Sequence, residues 1–296
     1  MFGLSIIIVN HNSWFVLEKC LQSIENQKKD NTEVIIIDNN SSENLFNIFK
    51  KKYNKFIWIN RKKNLGFSKA CNLGAEIANY NYFLFLNPDT ELENNCLSRL
   101  TKKVVKFPSS ILSISQENSK GKRKFPYGNF LNIKSFNGAI RFLFRLLSFE
   151  NRKNNHKKPF LSPDWVSGSF FLIDKKNFYK LNGWDEDYWM YFEDMDLCKR
   201  AKNMGIRVIL INSISCIHHH GKSSRVNLKT TVKTKLQLIK SGCIFINKHY
   251  NGAYKKVLKS LFLGSIILEL IIFYPFSKEK RMVLGNLIFN FRVKNF

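Results

Sequence analysis

The sequence predicts an α/β fold on a mainly parallel central sheet, followed by a helical C-terminal extension. Strand-length apolar runs alternate with helix-length segments through the first hundred residues, the pattern of βαβ units. Three of those strands end in polar clusters. Of 296 residues, 44% are hydrophobic, including 27 Phe, 10 Tyr and 5 Trp, enough apolar surface for a sizeable core in one or two domains.

Leu4–Val9, Glu33–Ile37, Phe56–Ile59 and Tyr82–Leu86 read as buried strands, rich in Ile, Val and Phe and bounded by polar residues. Ser13 is a candidate N-cap for a helix in which Trp14, Leu17, Leu21 and Ile24 keep helical spacing. Ser41 is expected to begin a second helix, Phe67–Ala78 to form a third and Glu91–Val105 a fourth. Phe107–Pro163 is less regular, with a basic run at Lys120–Lys124, an apolar segment at Ile140–Phe149 holding Arg141 and Arg145, and an Asn/Lys-rich stretch at Asn151–Lys158. Order returns with a strand at Phe170–Ile173, a short helix around Lys176–Leu181, a turn at Asn182-Gly183 and a strand at Arg207–Ile211. Thr230–Tyr250 reads as a basic helix. Leu261–Phe276 is an apolar run of 16 residues interrupted by Glu269. A membrane-spanning helix needs about 20 apolar residues, so an interfacial helix with basic flanks is expected, against the alternative of a helix packed on the preceding α/β domain.

The formal charge is +26, and from Leu197 onward 19 Lys/Arg face only Glu269 and Glu279. Such an excess suits an anionic partner: nucleic acid, a phospholipid surface or a phosphorylated ligand. Six acids between Asp185 and Asp196 reverse the trend locally, which sits poorly with a nucleic-acid-binding protein, and no nucleic-acid module is recognisable. A GxGxxG turn after the first strand is missing, which argues against a dinucleotide-dependent oxidoreductase. Six Cys without a CxxC pair read as reduced, mostly buried thiols of a cytosolic protein. Ser5–Val9 is only strand length, with no basic segment or cleavage site, so no targeting signal is expected.

Parallel strands would bring Asn10-His11-Asn12, Asp38-Asn39-Asn40 and Asn87-Pro88-Asp89-Thr90 to one sheet edge, where open α/β sheets bind ligands. A single Asp after a strand is ordinarily a helix cap; three clusters in register point to a crevice. In Phe192-Glu193-Asp194-Met195-Asp196, close acids raise one another's pKa and keep a base usable near neutral pH. The competing reading is acids placed at the positive end of a helix dipole. In His218-His219-His220, an extended backbone turns neighbouring side chains to opposite faces, so at most one or two can face a site.

The segments SIIIVNHNS (5–13), VIIIDNNSS (34–42), NLGFSKACNLG (64–74), FLFLNPDT (83–90), VSGSFFLI (166–173), GWDEDYWMYFEDMDLCKRAKNMG (183–205) and IHHHGKSS (217–224) stand in order over three quarters of the chain. Together they resemble the inverting glycosyltransferases of family 2, especially its rhamnosyltransferase-like branch. The resemblance implies a GT-A-type nucleotide-diphospho-sugar transferase fold: residues 1–225 catalytic, with 1–106 the nucleotide-sugar half and 107–225 the acceptor half, and 226–296 a basic, apolar helical extension.

It also implies Mg²⁺ or Mn²⁺ held by Asp89, with Asn87 standing where many relatives carry the first Asp of Asp-x-Asp. His218 is the implied further metal or diphosphate ligand, and Lys222 and Ser223 could meet phosphate. His219 and His220 default to structural. Asp38 and His11 correspond to nucleobase-holding positions, His11 replacing a common Tyr; Asn10, Asn12, Asn39, Asn64, Gly66 and Asn72 fall in the same donor crevice. Lys69 reads as an exposed helical Lys. Asp194 is the implied base, Glu193 and Asp196 orient the site or meet acceptor hydroxyls, and Trp184, Tyr188, Trp189, Tyr191 and Phe192 are expected to ring the acids. The implied reaction is inverting transfer of a sugar, with dTDP-L-rhamnose the first donor to test, onto a glycan or lipid-linked acceptor in cell-surface polysaccharide synthesis. The setting is cytoplasmic, at the inner face of an anionic membrane. A degenerate transferase acting as a binding module, or a basic nucleic-acid-binding α/β protein, is the alternative.

Overall fold

The computed structural model describes residues 2–27, 30–42, 45–133, 158–219 and 227–292. Their contacts divide them into two compact units. The first takes its residues from Met1–Asn129, Lys158–Trp189 and Glu193–Ser223, the second from Phe130–Lys157, Met190–Phe192 and Ser224–Phe296.

The first unit holds β1 (Leu4–Asn10), α1 (Trp14–Glu25), β2 (Thr32–Asp38), α2 (Phe46–Lys52), β3 (Ile57–Asn60), α3 (Phe67–Glu76), β4 (Tyr82–Leu86), β5 (Thr90–Leu92), α4 (Cys96–Lys106) and β6 (Ile111–Glu117). The short strands β7 (Arg123–Lys124), β8 (Tyr127–Gly128), β9 (Phe160–Leu161) and β10 (Trp165–Val166) follow, then β11 (Phe170–Asp174), α5 (Lys175–Lys180), α6 (Glu193–Asn203) and β12 (Val208–His218). The main sheet runs β3-β2-β1-β4-β11-β6-β12-β5, with β7 beside β6 and β9 beside β12; β8 and β10 pair separately.

β1, β2, β3 and β4 are mutually parallel, and β6 and β12 are parallel to each other. β11 runs against both β4 and β6, so the sheet is mixed but mostly parallel, in line with the mainly parallel sheet the sequence predicts. Every residue of β1 is buried. That matches a strand with helices on both faces, where a continuous Ile/Val run replaces alternation. Under one face lies a core of Leu17, Leu21, Ile36, Leu84, Leu100 and Ile209, among others.

Three local expectations differ. Ser41 does not start a helix, because its hydroxyl is bonded to Asp38 and α2 begins at Phe46. The stretch after Asp89 forms β5 before α4, because Thr90–Leu92 pairs with β12. β12 runs to His218, far beyond Ile211, with a register shift between Ile211 and Ser215 that re-aims the strand as a bulge does.

The second unit contains α7 (Leu228–His249), α8 (Gly252–Ile272) and α9 (Lys278–Arg292). Val232, Ile239, Ile246, Leu258, Phe262 and Leu287 lie in its core. α8 starts earlier than the apolar run suggests because Leu258 and Phe262 are needed in that core. It ends before Pro275, whose ring cannot continue a helix. Among the described residues, no helix is long and apolar enough to cross a membrane.

Candidate active site

The parallel register sets the floor of the site. Asn10 and Asp38 are register partners at the ends of β1 and β2, both buried. Asn10 Nδ2 donates to Asp38 Oδ1 at 2.9 Å. Ser41 Oγ donates to the same oxygen at 2.5 Å, and the Ser41 amide donates to Oδ2 at 3.3 Å. Asp38 is thus an oriented carboxylate rather than a helix cap. His11 Nδ1 lies 3.1 Å from the Asn39 carbonyl. Asn12, at φ 54°, accepts from the Ser42 amide at 2.7 Å. Asn39 ties in the next loop: Nδ2 donates to Asn64 Oδ1 and to the Gly66 carbonyl, and Oδ1 accepts from the Leu65 amide. Asn10, His11, Asn12, Asp38, Asn39, Asn64 and Gly66 therefore form one bonded group.

Asn72 is spent elsewhere. Its amide group bridges the Trp184 carbonyl and amide at 2.8 and 3.0 Å and also donates to Glu186, holding the 183–186 loop. Lys69 pairs with Glu186 at 3.3 Å on the surface, in line with an exposed helical Lys.

Asp89 sits between β4 and β5, with 3% exposure. Antiparallel pairing sets His218 opposite Thr90, and His218 Nε2 comes within 3.1 Å of Asp89 Oδ1. His218 Nδ1 is 2.8 Å from Gln116 Oε1, while Gln116 Nε2 donates to Ser169 Oγ at 2.7 Å. With that amide orientation Nδ1 carries hydrogen, so in the neutral ring the Nε2 lone pair faces a carboxylate oxygen. Two acceptors in contact are satisfied by sharing a cation or a proton. A carboxylate and an imidazole, the latter oriented through its other nitrogen, are a donor set that fits a divalent metal. Among the described residues no group of three or more His, Cys, Asp or Glu gathers in this way. His219 Nε2 contacts Glu91 instead, at 3.2 Å. His220, Gly221, Lys222, Ser223 and Ser224 lie outside the described residues, as do Arg141 and Arg145.

α6 opens with the acids. Asp194 Oδ2 accepts from the Gly168 amide at 3.1 Å and Oδ1 from the Met195 amide at 2.8 Å. Burial raises its pKa from the usual Asp range, and these amide hydrogen bonds oppose the rise. Burial lifts Glu193 well above the ordinary carboxyl range, with Asp194 adding repulsion; its Oε2 is buried without a hydrogen-bond partner. Asp196 lies deeper than the other two acids. It is 1% exposed and accepts from Arg200 Nε and Nη2 at 2.8 and 2.6 Å, an i,i+4 ion pair that ties it to the helix rather than to an acceptor.

Of the aromatic residues expected around the acids, Tyr188 keeps its hydroxyl beside Asp196, while Trp184 and Phe192 pack elsewhere. Trp184 packs 5.0 Å from both Phe85 and Phe171, and Tyr188 is fully buried; both are interior. Phe192 belongs to the second unit, against Phe245 and Phe262. Tyr191 and Phe192 have φ of 70° and 67°, an uncommon backbone for bulky residues that stores strain just before Glu193.

Sequence reasoning missed the connecting residues. Gln116 is the single amide of β6, a strand that also carries Ser113, Ser115 and Glu117, and Ser167 and Ser169 stand in VSGSFFLI, where no local signal assigns either a role. Ser169 Oγ donates to Ser167 Oγ at 3.0 Å, and the Asn87 amide donates to the Ser169 carbonyl at 3.0 Å. One bonded line therefore runs from Asp89 through His218, Gln116 and Ser169 to the neighbouring Gly168, which holds Asp194.

A family model described as glycosyl transferase family 2 matches residues 5–180. The rhamnosyltransferase WbbL of Escherichia coli K12 is 28% identical over 77% of this chain and 90% of its own length. A GalNAc(5)-diNAcBac-PP-undecaprenol β-1,3-glucosyltransferase of Campylobacter jejuni is 27% identical over 63% of this chain and 56% of its own. Among solved structures, the mannosyltransferase PcManGT of Pyrobaculum calidifontis, in complex with GDP-Man and Mn²⁺, superposes with a TM-score of 0.57 at 14% identity. That superposition covers 97% of this chain and 80% of that one. The fold is of the GT-A type, an α/β architecture with C-terminal helices added.

Proposed function

The chain belongs to glycosyl transferase family 2, and from that premise we propose an inverting, metal-dependent transfer of a sugar from a nucleotide-diphosphate donor to a glycan or lipid-linked acceptor. The E. coli relative's name, a rhamnosyltransferase, makes dTDP-L-rhamnose the first donor to test, and the undecaprenol-linked substrate in the C. jejuni relative's name favours a lipid-linked acceptor; cell-surface polysaccharide assembly is the proposed role. The proposed setting is the cytoplasmic face of the membrane, with residues 1–225 catalytic and 226–296 an extension.

The observation that carries the reading is the bonded line joining Asp89 and His218 to the turn that holds Asp194. Asp89 and His218 would hold the metal, and the mixed oxygen–nitrogen set favours Mn²⁺ over Mg²⁺. A bound divalent cation supplies charge neutralisation for the departing diphosphate. Asp38 accepts from a base N–H, and His11 offers a small stacking ring. Asp194 takes the acceptor hydroxyl's proton as that oxygen bonds to the anomeric carbon. The carbon–oxygen bond to the diphosphate breaks on the opposite face, its electron pair leaving with the diphosphate, and the centre inverts. Backbone amides, Gly168 and Met195 among them, hold the Asp194 carboxylate in one orientation for this task.

The test is transfer from a panel of nucleotide sugars with Mn²⁺, with the anomeric configuration of the product read by NMR. Asp194→Asn is expected to lower kcat by about 10²- to 10⁴-fold while donor binding, measured by calorimetry, is retained. Full activity in that variant, or retention of configuration, would overturn the assignment.

A further inference from the structure

The link between α8 and α9 carries an unusual surface. Ile271 through Phe276 are six consecutive exposed residues, Ile-Ile-Phe-Tyr-Pro-Phe, with Phe276 85% and Phe273 50% exposed. Leu268 precedes them on α8 with 60% exposure. Isolated exposed apolar residues are normal on soluble proteins, whereas a contiguous patch marks an interaction site.

The tip is rigidly built. The Phe273, Tyr274 and Phe276 amides donate to the Glu269, Ile271 and Phe273 carbonyls. Arg281 Nη1 donates to the Tyr274 and Pro275 carbonyls at 3.0 and 3.1 Å, stapling the turn to the first part of α9.

The charge of the extension is predominantly positive. Residues 224–296 contain 14 Lys/Arg and two acids, Glu269 and Glu279. Glu269 is paired with Lys280 and Glu279 with Lys235. Lys278 and Arg281 remain exposed beside the aromatic residues. On α9, Ile288 and Phe289 are exposed seven and eight residues after Arg281, and thus on the same helical face. Apolar anchors next to unneutralised cations fit the boundary of an anionic bilayer, where rings enter the acyl edge and Lys/Arg meet headgroups. A second copy of the chain fits less well, because a two-fold interface would oppose the same basic surface to itself.

We propose that the α8–α9 tip, centred on Phe273 and Phe276, inserts into the interface of an anionic lipid bilayer and docks the protein there. The proposal rests on the transferase reading only for its purpose, access to a lipid-linked acceptor; the docking can be tested without turnover.

The experiment is flotation of the full chain with phosphatidylglycerol–phosphatidylcholine vesicles and with phosphatidylcholine alone, at low and high salt. The wild type should float with the anionic vesicles, and less well at high salt. Phe273→Ser/Phe276→Ser should lose affinity by about tenfold or more per ring removed. Both rings are exposed, so its melting curve and donor binding should match the wild type. Lys278→Glu should weaken binding to anionic vesicles while leaving the fold intact. A wild type that stays unbound, or a double variant that floats equally well, would overturn the proposal. So would a wild-type dimer, seen by light scattering, that the double variant converts to monomer, since the tip would then serve a second copy. Docking together with failed donor binding would instead count against the transferase reading alone.

Discussion

Glu193 is buried with one carboxylate oxygen unbonded, and its pKa is raised well above the ordinary value, first by burial and then by Asp194. The folded state therefore holds this proton more tightly than the unfolded chain. The stability this contributes is fully present below about pH 4.3, the unfolded value, and is lost as pH rises through the folded pKa. Glu193→Gln should accordingly unfold at higher urea than the wild type near neutral pH, with the difference closing in acid; equal midpoints at both pH values would mean that the carboxylate is not penalised. The Asp194 shift has the same sign, and a base acts only when ionised. The acid limb of kcat/KM should thus lie above the ordinary Asp range of about 3.9, a profile measurable with saturating metal. Gln116 acts through its neighbours: it orients His218 and bonds Ser169. Gln116→Leu is expected to weaken Mn²⁺ binding by about 10- to 100-fold, read by calorimetry without turnover, while Gln116→Glu, which keeps an acceptor for His218 Nδ1, should restore part of it.

At the level of elements, what the sequence disclosed followed from local signals. β1, β2 and β4 were legible because uninterrupted Ile/Val/Phe runs end in Asn and Asp, and the structure brings those ends to one edge. The resemblance put Asp89 and His218 at one metal, but the backbone path that joins them was not legible, because it depends on β12 extending past Ser215 after a register shift and pairing with a three-residue strand. Neither short strand nor bulge leaves a periodic trace. The Asp196–Arg200 ion pair spans one helical turn, a spacing the sequence does carry. The start of α3 gives an element-scale test. Gly66 has φ 84°, and a Cβ there would collide with the Trp189 carbonyl, while its own carbonyl and amide are bonded to Asn39 and Asn64. Gly66→Ala should cost more than about 1 kcal/mol in urea denaturation and weaken donor binding through the displaced Asn39–Asn64 loop. An unchanged midpoint would show that this backbone is not constrained.

At the scale of the whole chain, each of the two units has buried apolar core among its described residues, and the cysteines divide between the units. Cys20, Cys71, Cys96, Cys198 and Cys216 lie in the first unit and Cys243 in the second. All six are free thiols and all are buried. Burial is the leading cause of a raised pKa at each, with Cys96 pushed up to about 12. A buried thiol with so little thiolate is a poor nucleophile, so labelling requires opening of the surrounding core. The native protein should therefore take up alkylating reagent slowly at every position. In rising urea, peptide-resolved mass spectrometry should find the five thiols of the first unit gaining label together. Cys243, enclosed by the α7–α9 core, should follow the loss of helical signal from its own unit. Labelling of Cys96 or Cys216 in native buffer at the rate of an unfolded peptide would contradict the packing of α4 and β12 that holds His218 beside Asp89.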